Sequence, residues 1–183
     1  MGILIAIIVL VLVVIVMYNS LISKVNQIKN AEGALDATLK QRYDLLPNLV
    51  EVAKQYMDHE DKMFTKIIEL RTRAQNANSF SEKIEANKEI DKSIKNIMMN
   101  VENYPTLLSN QNFIKLQEAM VDLENNIAAA RRFYNTSVVN YNDSIQMIPG
   151  NLMAPMMGLK IREIYSITEN ERQNPNMKEL FKK

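Results

Sequence analysis

The sequence predicts an all-α protein, an N-terminal transmembrane helix that continues into an antiparallel up-down-up-down four-helix bundle. Three observations predict it. Every residue from Ile3 to Met17 is apolar. Only 4 Gly and 5 Pro interrupt 183 residues that include 12 Met, so helix breakers are scarce. Beyond the apolar stretch, hydrophobic residues recur at alternating steps of three and four, and no strand-like alternation competes with them. The expected division is an anchor over 1–18, the bundle over 19–150, and a Met-rich segment with a polar tail over 151–183.

The anchor comes first. With Met1 and Tyr18, the stretch from Ile3 to Met17 approaches the roughly 20 residues that cross a hydrocarbon core. A cleaved signal peptide is the competing reading, but no basic region precedes Ile3 and no small-residue cleavage pattern follows Met17. Tyr18 stands where an interfacial aromatic belongs, and Lys24, Lys29, Lys40 and Arg42 all follow the span. By the positive-inside rule, this asymmetry points to a cytoplasmic helical domain.

Leu21, Val25, Ile28, Leu35 and Leu39 then form a heptad-like seam, so the anchor helix should run straight into the first soluble helix. That helix is expected to end near Tyr43-Asp44. Pro47 suits the first turn of a second helix, with Asp44 as its cap, and the second helix runs to about Ala77. Its seam is Leu49, Ala53, Tyr56, Glu60, Met63, Ile67, Leu70 and Ala74. Ser79 and Glu82 have capping-box spacing and start a third helix, whose apolar residues from Ile84 to Tyr104 lead to Pro105. A fourth helix begins near Ser109 or Asn110. It carries the longest seam, Phe113, Leu116, Met120, Leu123, Ile127, Ala130, Tyr134, Ser137, Tyr141 and Ile145, and stops at Pro149-Gly150.

Composition excludes several classes of function. A net charge of +1 gives no support for nucleic-acid binding. The absence of Cys removes thiol catalysis, disulfides and iron–sulfur clusters. The single His59 lacks the Glu-x-x-His pattern of di-iron bundles, and Met63 stands where a His-Glu-x-x-His zinc motif needs its second His. No metal, cofactor or catalytic residue is therefore expected.

Polar residues beside the seams are the only site candidates. Glu32 and Glu60 fall on apolar rows, where a carboxylate is costly unless partnered. Asn48, Gln55 and His59 share one stripe of helix two, and Arg131, Asn135 and Asn142 share one of helix four. The dipeptides Tyr134-Asn135 and Tyr141-Asn142 repeat one heptad apart. Two readings apply: a buried polar network with Arg131 neutralising Glu60, or ordinary boundary positions whose polar ends reach water.

The stretch Arg42-Tyr43-Asp44-Leu45-Leu46-Pro47-Asn48-Leu49-Val50-Glu51 resembles the LemA family of bacterial membrane-anchored proteins. The likeness continues through Tyr104-Pro105, Arg131-Arg132, Tyr134-Asn135, Tyr141-Asn142 and Pro149. It departs at Gln41, where members commonly carry a second basic residue before Arg42. The resemblance implies a transmembrane helix and a helical-bundle domain, placed here at the bacterial inner membrane. It supplies no biochemical activity.

In that topology the fourth helix ends near the bilayer, followed by Leu152, Met153, Ala154, Pro155, Met156 and Met157. This segment reads either as a docking surface for lipid or a partner, or as a cover over the open end of the bundle. The functional expectation is an adaptor, scaffold or sensory partner that works by protein interaction. It contacts the lipid bilayer through its N-terminal helix, an unknown membrane or envelope protein, and in one version a second copy of itself. The alternative is a binding module whose groove takes a lipid or peptide.

Overall fold

The protein is seen in a computed structural model that describes residues 1–57 and 59–165. Regular structure consists of α1 (Gly2–Lys54), α2 (Asp61–Gln75), α3 (Phe80–Val101), α4 (Pro105–Leu108), α5 (Gln111–Gln146) and α6 (Gly150–Met153), with no strand among the described residues. The expected polar tail beyond Thr168 lies outside them.

At about 1.5 Å per residue, α1 is roughly 80 Å long. Its N-terminal part is long and apolar enough to cross a membrane, with a mean hydropathy of 3.0 over a window of which none is buried. From Leu21 onward the heptad row turns inward. Leu21, Ile28, Leu35 and Leu49 are buried, and Arg42 occupies the same row between Leu35 and Leu49.

The expected break at Tyr43-Asp44 is absent, and α1 runs through Pro47 to Lys54. A proline here has no N–H for the carbonyl four residues earlier, that of Tyr43. The Arg71 side chain of α2 supplies the missing donor, with its Nε 2.6 Å from the Tyr43 oxygen. Asp44 is accordingly an exposed mid-helix residue rather than a cap, and Leu49 and Ala53 belong to α1. The turn falls at 55–60, so Glu60 is the residue before α2 and not part of its seam. Replacing Arg71 by Met should cost about 1–2 kcal/mol, the usual penalty for stranding a partly buried carbonyl. Adding Pro47→Ala, which restores the backbone donor, should recover most of the loss in chemical denaturation.

Other helix limits follow local chemistry. Ser79 accepts from the Glu82 amide at 3.1 Å, and Asn110 caps α5 by accepting from the amides of Asn112 and Phe113. α3 ends at Val101, and Tyr104 leaves helical geometry at φ −121° and ψ 76° ahead of Pro105, which opens the single turn α4. The Ile148–Pro149 bond is cis. Gly150 is required by close approach, since a Cβ there would collide with the Ser144 carbonyl oxygen.

α5 packs along α1, α2 pairs with α3 and lies against α1, and α6 touches both α5 and α1. The core is formed by the facing rows, including Leu39, Leu46, Phe64, Ile67, Ile90, Ile97, Phe113 and Val138. α3 and α5 approach each other far less closely, which leaves a groove between them.

Candidate interaction groove

A buried arginine ties the groove together. Arg42 is 1% exposed, and its guanidinium holds Asp91 of α3 at 2.5 Å and Glu124 of α5 through the other terminal nitrogen. Burial alone would lower its pKa, but the two carboxylates outweigh that penalty and hold it above the usual value. One residue on, the buried Tyr43 hydroxyl accepts from Asn87 of α3 at 2.5 Å, and burial raises its pKa. α1 therefore bridges both walls.

Residues 159–165 lie in the groove without helical or strand structure. They are held through their backbone by the repeated Tyr-Asn pair. The Tyr141 hydroxyl donates to the Lys160 carbonyl at 2.9 Å, and the Asn142 side-chain amide both donates to the Arg162 carbonyl at 2.8 Å and accepts from its N–H at 3.0 Å. One heptad earlier, Tyr134 donates to the Glu163 carbonyl at 3.4 Å, and Asn135 makes the same two-way pairing with Tyr165 at 3.0 and 2.8 Å. The segment runs antiparallel to α5. Seven helical residues rise about 10.5 Å and three extended residues about 10 Å, so the spacing repeats in register. An Asn amide presents one donor and one acceptor side by side, as a peptide group does, so the clasp reads backbone and not side chains.

Two side chains reinforce the seat. Arg162 pairs with Glu32 of α1 at 3.0 Å. Tyr165 is 4% exposed, with Arg131 above its ring at 5.5 Å. Burial and the nearby Asp91 charge push the Tyr165 pKa up to about 12, against the opposing pull of Arg131 and Arg42. A free tyrosine titrates near 10. The docked segment thus keeps its proton where the released one loses it. Its attachment should be complete below pH ~10 and fade as the pH rises towards ~12, visible as cooperative tyrosine ionisation coupled to segment release.

Past Tyr165, the groove opens into a cleft of about 560 Å³ between α3 and α5. Ile94, Met98, Met120 and Val121 form its apolar lining, and Asp91, Lys95, Gln117, Glu124 and Arg131 its polar part. On α5, the row that carries Asn142 and Asn135 continues one and two heptads back to Ala128 and Val121. The clasp therefore gives way to an apolar surface in the same line.

The sequence candidates divide between several places. Asn135, Asn142 and Arg131 meet at the groove, joined by Glu32 through Arg162. Asn48, Gln55 and His59 are exposed at the far end of α1 and in the following turn, and Glu60 is half-buried beside them. The expected pairing of Arg131 with Glu60 does not occur, because Glu60 lies at the α1–α2 turn while Arg131 covers Tyr165. Among the family-pattern residues, Arg132 and Asp44 are exposed. In the Met-rich segment, Met153 and Met157 pack against the core, whereas Leu152 and Met156 are exposed.

Arg42 enters the sequence reading only as part of the family pattern and as a cation after the span, not as a buried hub. Its signal was there, since Arg42 falls on the row of Leu21, Ile28, Leu35 and Leu49, but the helix was expected to stop one residue later.

These features define a helical domain on a helix long and apolar enough to cross a membrane, with a groove that holds extended chain. The chain belongs to the LemA family, whose model matches residues 31–178. It is 24% identical over 163 residues to Protein LemA of Metamycoplasma hominis, covering 88% of this chain and 74% of that protein. Over 69 residues it is 33% identical to the magnetosome protein MamQ of Magnetospirillum gryphiswaldense, covering 38% of this chain and 25% of the relative. Magnetosome protein MamQ 2 of Paramagnetospirillum magneticum matches to the same extent. The chain thus spans about a quarter of the MamQ proteins, and the family places it among membrane-associated proteins.

Proposed function

We propose that the protein is a membrane-tethered adaptor or scaffold that works by protein interaction and not by catalysis, with residues 1–18 as anchor and the four long helices as an up-down-up-down bundle. The anchor holds it in the bacterial inner membrane, and the cations that follow the span favour a cytoplasmic domain. The observation that carries this reading is the Tyr-Asn clasp, a surface whose polar groups match the backbone of an extended polypeptide. The same observation favours a peptide over a lipid as the ligand of the alternative reading, since two-way amide pairing has no counterpart in an acyl chain. The partner is a membrane or envelope protein, or a second copy of this chain.

In-cell crosslinking tests the proposal, comparing the full-length protein with a variant that starts at Asn19. A membrane-protein partner recovered reproducibly, and lost without the anchor, supports the adaptor. Self-crosslinks alone make the protein a homo-oligomer, and no crosslink of either kind removes the interaction reading.

A further inference from the structure

The chain just past α5 carries four large apolar side chains that are exposed among the described residues. Met147 is 62% exposed, Ile148 82%, Leu152 69% and Met156 87%, all within ten residues of chain. Elsewhere in this segment Ala154, Met153, Met157 and Leu159 turn inward. An uncovered cluster of this size at one edge marks an interaction surface.

Its position identifies what covers it. α1 and α5 run antiparallel, with Arg42 paired to Glu124. The same number of residues separates Arg42 from Tyr18 as separates Glu124 from Ile148, so Ile148 lies within about a turn of the level at which the apolar stretch of α1 ends. Contact confirms that register, because Gly150 packs beside the Leu21 side chain, three residues past Tyr18, and α6 touches α1. The exposed edge therefore sits where α1 emerges from its apolar span.

We propose that Met147, Ile148, Leu152 and Met156 form a second membrane contact, inserted into the headgroup and upper acyl region of the bilayer that α1 crosses. The occupant is the lipid surface, because the patch lies at the level where the apolar stretch of α1 ends. Met and Ile at this level bury apolar area with no charge to desolvate, as interfacial segments do. Two points of attachment fix the axis of the domain, so the groove is held at a set height above the membrane instead of swinging about a single helix. The inference rests on α1 spanning the bilayer, but not on the identity of any partner.

The chain contains no cysteine, so single nitroxide labels can be placed without background. Full-length protein is reconstituted in vesicles of phosphatidylethanolamine and phosphatidylglycerol, with one label at Ile148→Cys, Met156→Cys, Val9→Cys or Asn126→Cys. Collision with oxygen is compared with collision with a water-soluble nickel chelate. The expected result is a several-fold higher oxygen-to-nickel ratio at 148 and 156 than at exposed mid-helix position 126, with 9 highest. Water-like ratios at 148 and 156 while 9 reads as lipid overturn the proposal. A water-like ratio at 9 overturns the span on which it rests. Spin–spin broadening at 148 that disappears on dilution with unlabelled protein overturns it too, by assigning the patch to a second copy.

Discussion

Replacing Asp91 and Glu124 together by leucine is expected to destabilise the domain by about 3–5 kcal/mol, the usual cost of leaving a buried charge without its partner. Arg42 is 1% exposed and reaches both carboxylates from α1. Without them its guanidinium must stay unpaired in the core or pull its stem towards solvent. Thermal midpoints should fall by roughly 10 °C for a chain of this size. The decisive comparison adds Arg42→Met. An apolar core of similar volume is generally no worse than a buried ion pair, so the triple variant should regain most of the lost stability. If it does not, packing around residue 42 and not charge sets the cost.

Asn135→Leu with Asn142→Leu should release residues 159–165 while the helices stay folded. The pair makes four of the six side-chain hydrogen bonds to the segment backbone among the described residues. At about 1 kcal/mol each, the loss is roughly 2–4 kcal/mol of docking free energy. It is bounded, because released backbone groups rehydrate. A spin-label distance between Glu163→Cys and Asn126→Cys should change from one narrow population to a broad one, with little change in helix content. Tyr141→Phe, which removes one hydroxyl, should produce a smaller shift in the same direction.

How far the sequence could be read depends on which forces act locally. The α5 seam is legible position by position. Phe113, Met120, Leu123, Ile127, Tyr134, Ser137, Tyr141 and Ile145 are buried, and Leu116 and Ala130 half-buried, because a long amphipathic helix is specified by spacing alone. The Ser79 cap and the exit at Tyr104-Pro105 are equally local. Pro47 is the opposite case. Its cost in a helix interior is real, yet a donor from Arg71, far away in sequence, satisfies the freed carbonyl, and no pattern within α1 announces that. The misplaced break then hid the heptad row on which Arg42 sits, and with it the partners Asp91 and Glu124.

The candidate site was half legible for the same reason. The Tyr-Asn repeat stood out by its period, but its ligand is a stretch of extended chain whose backbone offers no sequence signature. Glu32 is a carboxylate on an apolar row, and its partner, Arg162, belongs to that same chain segment. Glu60 looked equivalent only because the second helix was begun too early.

Backbone recognition by the clasp is the centre of the account, and amide hydrogen exchange in the full-length protein tests it most directly. The amides of Arg162 and Tyr165 donate to Asn142 and Asn135. They should be protected by the docking free energy, with the amide of Ile164, which neither asparagine engages, exchanging faster, and Asn135→Leu with Asn142→Leu should abolish the protection of both together. Uniformly fast exchange across 160–165 in the native protein, or protection that survives the double substitution, would contradict it.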